Sequence, residues 1–334
     1  KDLKDQYPLH EYQRAATIFR SLRAVKSGYE VELLQMACDI TEKAFRRVLK
    51  FVKPGVTEYE IEAEIIHEFI KNRASGHAYN PIIASGKNAC VLHYNDNNQV
   101  CKDGEVILFD FGAEYANYNA DLSRSIPVNG KFTARQKAVY NAVLKVMTEA
   151  KKMLVEGTIL DEYHKEVGLV MQSELIELGL LDKHAVAKQD PNMPLYKKYF
   201  MHGTSHFLGL DVHDIGNRYE KMKAGMIFTC EPGIYIPEEG LGIRLENDIL
   251  ITTKGNIDLM QNIPITSEQV SDVMEDDQLL DELVGEDFGV DHLAILVQNL
   301  EGSPRDHVLA TIFPVPIHDA LDENISTEIV GNGV

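Results

Sequence analysis

The chain has 334 residues, 44% of them apolar and 25% charged, with a formal net charge of −19. That size suits one large domain or two ordinary ones, and an anionic surface gives neither nucleic acid nor an anionic bilayer an electrostatic reason to bind. No apolar run approaches the ~20 residues of a membrane-spanning helix, and the polar start "KDLKDQYPLHEYQR" lacks the plan of a signal peptide. Cys38, Cys90, Cys101 and Cys230 form no C-x-x-C pair and are too few for a disulfide scaffold, so the expectation is a reduced, cytoplasmic protein.

The first clear elements lie in "ITEKAFRRVLKFVKPGVTEYEIEAEIIHEFI", which begins at Ile40. It reads as an amphipathic helix, a stop at Pro54 and Gly55, and a second helix opened by the capping residue Thr57. Next, "EVILFDFGAEYANYNADLSRSIPV" reads as a β-hairpin turning near Tyr115 and Ala116. Folded about that turn, Asp110 lies opposite Asp121. The stretch "AVLKVMTEAKKMLVEGTILDEYHKEVGLVMQSEL" repeats the helix-stop-helix plan at an offset of 102, with Gly157 in place of Gly55. Ala44, Phe45, Val48 and Val52 then match Val146, Met147, Ala150 and Leu154, which implies two similar α+β halves. After it comes "HGTSHFLGLDVHD", with His202, His206 and His213 in one short segment. A second hairpin follows, "MIFTCEPGIYIPEEGLGIRLENDILIT", whose turn at Glu238 and Glu239 sets Glu231 opposite Glu246. From Ser267 onward the chain carries 16 acids against one arginine and no lysine, a net −15, so composition changes near residue 270. Within that tail "SDVMEDDQLLDELVGEDFG" suits an acidic linker or short helix, and "VDHLAILVQNLE" a buried strand.

Like charges placed directly across a strand pair are destabilising, and Asp110 and Glu231 sit among apolar neighbours. Two such pairs call for a cation. Four carboxylates and one imidazole make an oxygen-rich site for a hard or borderline divalent ion, Mn²⁺ first, with Co²⁺, Zn²⁺ and Fe²⁺ as alternatives. Cys230 points to the other face of its strand and is read as packing. Arg244, two residues before Glu246, shares its strand face and is placed to pair with a carboxylate or meet a substrate terminus.

These residues resemble a known family. Asp110, Asp121, His206, Glu231 and Glu246 fall in the order and context of the dinuclear metal set of the pita-bread metallopeptidases. The segments "NACVLHYNDN", "SIPVNGKFTARQ", "HGTSHFLGLDVHD", "EPGIYI" and "GIRLEND" are similar to its proline-specific branch, aminopeptidase P foremost and prolidase next. The resemblance implies an α+β pita-bread fold with pseudo-two-fold halves around two divalent metal ions. It implies removal of an N-terminal residue that precedes proline, with an Xaa-Pro dipeptidase or a silent peptide-binding module as alternatives. It further implies His206 as the imidazole ligand, His202, His213 and His93 on the substrate side, and Glu231 as ligand and proton shuttle. His10, His67, His164 and His184 have no such context and are read as surface residues. The resemblance divides the chain into a stub of an N-terminal domain at 1–25, a catalytic domain at 26–270 and an acidic extension at 271–334. The expected partners are peptides with proline second, with neither nucleic acid nor membrane, and a homodimer is the assembly to test.

Overall fold

The computed structural model describes residues 2–275. Two short, largely exposed helices, α1 (Asp2–Gln6) and α2 (Ala16–Ala24), lead into the long α3 (Gly28–Phe51). Ser27 starts α3 because its hydroxyl accepts the Glu30 N–H while the Glu30 carboxylate accepts the Ser27 N–H, a reciprocal cap of two orphan donors. After α3 the chain turns at Gly55, whose φ of +99° suits a residue without Cβ, and Thr57 and Glu60 cap α4 (Glu58–Lys71) in the same way. The second helix pair, α5 (Ala134–Met153) and α6 (Leu160–Glu177), is joined through Gly157 at φ +94°.

The strands follow the two helix pairs. β1 (Gly76–His77), β4 (Ala113–Tyr115) and β5 (Tyr118–Asn119) form one small sheet, and β2 (Ile82–Ser85), β3 (Val106–Phe111) and β6 (Leu122–Pro127) another. In the second half β7 (Ile227–Cys230), β10 (Asn247–Thr252) and β11 (Gly255–Asp258) pair, beside the two-stranded β8 (Gly233–Ile236) and β9 (Leu241–Arg244). No helix among the described residues is long and apolar enough to cross a membrane.

The internal repeat is visible bond by bond. Gly55 N–H donates to the Cys101 carbonyl and Gly157 N–H to the Met222 carbonyl, both at 2.9 Å. In return Cys101 N–H reaches Val56 O at 2.8 Å and Met222 N–H reaches Thr158 O at 2.7 Å. All eight apolar residues matched between the halves are buried. There are two main cores: Phe45, Val48, Phe69, Phe109 and Phe111 in one, joined by Ile227 and Leu250 from the second half, and Val143, Met147, Val167, Met171 and Ile243 in the other.

The second hairpin has the expected register. Gly233 pairs with Arg244 and Cys230 with Asn247, so Glu231 and Glu246 face each other where the two ladders are interrupted. The first hairpin differs: Asp110 lies opposite Ser123, not Asp121. Its turn falls one residue later than expected, at Ala116 and Asn117, whose φ values of 50° and 68° are the left-handed conformations that let a two-residue turn match the right-handed twist of its strands. One residue at the turn displaces the pairing by two. Because side chains alternate with period two, Asp121 stays on the Asp110 face as a diagonal neighbour. Gly112 makes this approach possible, since a Cβ there would lie 1.7 Å from the Ala120 carbonyl oxygen.

The acidic tail reading, from residue 276 onward, lies outside the described residues.

Candidate metal centre and substrate cleft

The carboxylates converge from both hairpins. Asp110 ends β3, Asp121 leads into β6, Glu231 follows β7 and Glu246 precedes β10. Single donor atoms of Asp121, His206 and Glu246 all lie within 4.8 Å of one another. His206 Nε2 is 3.3 Å from Asp121 Oδ2 and 3.7 Å from Glu231 Oε1. With its proton on Nδ1, the ring donates to the Phe207 carbonyl at 3.0 Å, which turns the Nε2 lone pair toward the acids.

Asp110 is the most heavily engaged acid. It accepts from Arg244 Nη2 at 2.5 Å and from the Tyr79 hydroxyl at 2.5 Å, and the same hydroxyl lies 2.5 Å from Asp121. One phenolic proton can satisfy only one of those carboxylates at a time. Arg244 is buried and each of its three nitrogens donates, to Asp110, to Ser123 Oγ at 2.7 Å and to the Tyr235 hydroxyl at 2.9 Å. Ser123 Oγ in turn donates to Glu246 Oε2 at 2.6 Å. Behind Asp121, the buried Asp248 accepts the Asp121 N–H at 3.1 Å and the Cys38 thiol at 3.4 Å.

The electrostatics record an excess of negative charge. Burial pushes the Glu231 carboxyl up to about 7, with His206 pulling the other way and Asp121 adding to the rise. Glu246 is driven well above the carboxylate range by burial and then by Asp121 and Glu231. Burial lowers the His206 imidazole, but Asp121 and Glu231 more than reverse this and hold it at about 9. Protein groups alone leave this cluster undercompensated.

Three further histidines border the acids. His202 is half-buried, with Nε2 2.8 Å from the Tyr235 hydroxyl and Nδ1 2.7 Å from Gly203 O; burial and then Arg244 lower its pKa to about 4. His213 is exposed and packs edge-on against His206 with ring centroids 4.4 Å apart. His93 is exposed and close enough to weigh on the charge of both His202 and His213. All nine residues singled out from the sequence therefore gather around one cleft.

The chain matches the model of metallopeptidase family M24 over residues 32–253. The chain belongs to that family. It is 39% identical over 271 residues to the Xaa-Pro aminopeptidase of Escherichia coli, covering 77% of this chain and 60% of that protein. It is 32% identical to the Xaa-Pro dipeptidase of Mus musculus, over 75% of this chain and 60% of that one. Among solved structures, aminopeptidase P from E. coli with the inhibitor Pro-Leu superposes with a TM-score of 0.75 at 37% identity, covering 79% of this chain and 62% of that chain. The chain thus spans about 60% of the length of these curated relatives.

Membership of family M24 implies divalent metal ions, and the residues present fit them. The donors are oxygens and one imidazole nitrogen, which a cation would bind in its deprotonated, neutral form, with no thiolate among them; the mutual repulsion of the acids is what a bound cation relieves. Pattern reading missed several groups that build the cleft. His164, expected at the surface, is half-buried with Nε2 3.1 Å from Ser205 O, because its face of α6 packs on the histidine-rich segment. That segment, His206 and His213 share a pocket of about 250 Å³ with His164. Tyr79, Tyr235 and Asp248 carried no local signal; the "END" that contains Asp248 marks it only in retrospect.

Proposed function

We propose that this chain is a metal-dependent exopeptidase that hydrolyses the bond between an N-terminal residue and a following proline, with residues 26–270 as its catalytic domain. The observation that carries the reading is the convergence of Asp121, His206 and Glu246 donors within 4.8 Å, with Asp110 and Glu231 beside them. Asp110, Asp121, His206, Glu231 and Glu246 would hold two divalent cations, Mn²⁺ first among the candidates. Bound there, the cations supply Lewis acidity that readies water for attack and stabilises charge on the carbonyl oxygen.

The protein groups then divide the remaining work. Glu231 takes a proton from the attacking water and returns it to the proline nitrogen as the C–N bond breaks. His213 donates a hydrogen bond that holds the substrate carbonyl side, His202 lines that side with its one N–H given to Gly203 O, and His93 steadies the departing proline. Arg244 orients Asp110 and opposes the burial that raises its carboxyl. A proline nitrogen bears no hydrogen, so the cleft has no need of an acceptor at that point.

The test is digestion of Xaa-Pro-Yaa-Zaa and Xaa-Pro peptides with Mn²⁺ added, followed by product identification. Release of the first residue from the longer peptide supports the aminopeptidase reading. Cleavage confined to the dipeptide favours the second reading, an Xaa-Pro dipeptidase, which the likeness to the mouse dipeptidase keeps in view. No cleavage of either refutes both.

A further inference from the structure

The segment before α3 is anchored to the second half of the fold. Val25 bridges Met226, and Lys26 N–H donates to Gly225 O at 2.8 Å. From that fixed backbone two cations reach the loop that carries His213. Arg23 Nη2 lies 2.6 Å from Asp211 Oδ2 and 2.6 Å from Asp214 Oδ1, and Lys26 Nζ lies 3.5 Å from Asp214 Oδ2. The Lys26 and Asp214 side chains are each 1% exposed. Gly209 lies against this pair, and a Cβ on it would fall 2.4 Å from Asp214 Oδ2 and 3.0 Å from Lys26 Nζ.

A buried ion pair of this kind is poor as a source of stability, because desolvating both charges offsets most of their attraction. Its effect here is geometric. The loop from Phe207 to Asp214 has no helix and no ladder beyond the single bridge at Phe207; Asp214 N–H closes it on Phe207 O at 2.9 Å and Asn119 N–H meets Gly209 O at 3.0 Å, and side chains add the remaining ties. From one side Asn119 Nδ2 donates to Gly209 O and Leu210 O at 3.1 and 3.0 Å. From the other side Arg23 and Lys26 hold Asp214, the residue next to His213. The His213 ring lies over His206 with no hydrogen bond of its own among the described residues to keep it there.

We propose that Arg23 and Lys26 are positioning residues for His213: they lock the 207–214 loop through Asp214 and so hold the imidazole over the metal centre, facing the substrate. This rests on the aminopeptidase reading above, and it makes the segment before α3 a working part of the cleft.

The test uses the full, metal-loaded chain with Arg23→Ala, Arg23→Lys and Lys26→Met, alone and combined with His213→Ala. Arg23→Ala lowers kcat/KM on an Xaa-Pro-Yaa-Zaa peptide by about ten-fold at unchanged metal content, as expected for a misplaced positioning group. Arg23→Lys recovers most of that loss. In the His213→Ala background Arg23→Ala costs less than about two-fold, because the group it positions is already gone. Equal losses in both backgrounds overturn the proposal, since a general structural defect acts regardless of His213. A second readout needs no activity: backbone amides of 209–215 exchange about ten-fold faster in Arg23→Ala and Lys26→Met, while those of α3 and α5 do not change. Unchanged loop protection overturns the proposal whatever the kinetics show. A wild-type chain that cleaves no Xaa-Pro peptide would instead refute the functional reading and leave the exchange result to decide the loop lock.

Discussion

Replacing Arg244 tests the electrostatic logic of the centre. Its guanidinium meets Asp110 Oδ2 at 2.5 Å, Ser123 Oγ at 2.7 Å and the Tyr235 hydroxyl at 2.9 Å, all in a buried setting. Arg244→Ala in metal-free protein leaves the buried Asp110 without its counter-charge, and removing one partner of a buried pair costs about 3–5 kcal/mol. With cations bound, Asp110 keeps a counter-charge, and the loss shrinks toward that of the two neutral hydrogen bonds, about 2–3 kcal/mol. The penalty in metal-free protein therefore exceeds that in loaded protein by about 1–2 kcal/mol. Arg244→Lys keeps the charge and one contact, and it falls between wild type and alanine. Urea unfolding of each variant, with Mn²⁺ and with chelator, gives all the required differences. A loss under about 1 kcal/mol, equal losses for alanine and lysine, or a penalty indifferent to metal would each refute the reasoning.

Chelating the wild type removes a ligand of the folded state, and at a free metal concentration of 100 times Kd this lowers stability by about 2.7 kcal/mol, or roughly 5–10 °C in Tm; calorimetry with no shift would contradict the metal reading. His206→Ala lowers metal occupancy and rate together, whereas His213→Ala keeps the metals and lowers kcat/KM by about two orders of magnitude, near 3 kcal/mol of lost transition-state stabilisation. Elemental analysis beside kinetics separates the two, and metal loss from His213→Ala alone would reverse their roles. Gly112→Ala forces a Cβ to within 1.7 Å of Ala120 O, so the strand bearing Asp121 must move; metal content falls with stability, and an unchanged melting curve would show that the crossing of these strands is looser than described.

Much of this centre was legible because it breaks local rules. Acids inside apolar strands, paired across turns, are a conflict that a folding sequence resolves only with a counter-ion. The second hairpin's register followed from the sequence since Pro237 and Gly240 bound its turn, and Gly240 takes a φ of +60° as its identity suggests. The first hairpin turns through Ala116 and Asn117 in left-handed conformations, and alanine gives no hint of that. The error was harmless to the site because two residues of slip preserve the face. His164, Tyr79 and Tyr235 were invisible for another reason. His164 and Tyr79 act through partners far along the chain, Ser205 and Asp110 with Asp121, so no short window of sequence contains both members of the contact; Tyr235 meets Arg244 within its own hairpin, but its link to His202 spans 33 residues.

The repeat explains how so much like charge is tolerated in one place. Asp110 lies near the end of β3 and Glu231 just after β7, strands of the two halves, so the centre lies at the seam between them. Two apolar cores, one of them shared across the halves through Ile227 and Leu250, supply the burial around this polar seam. The seam is held by cations and amides: the buried Arg124 on β6 donates to Ser123 O and Pro264 O at 2.9 Å, to Glu246 O at 2.6 Å and to Asn247 Oδ1 at 2.7 Å. Arg124 thereby ties the first half to the strand entry that carries Glu246. Asn247 passes the connection to Asp258, which Lys151 of α5 neutralises at 2.8 Å. Arg244 does the same from the other direction, reaching from β9 to Asp110 on β3. Two arginines crossing the seam in opposite senses keep the carboxylates in register whether or not a cation is present. The scaffold is thus preorganised for metal, and the repulsion it stores is what binding relieves.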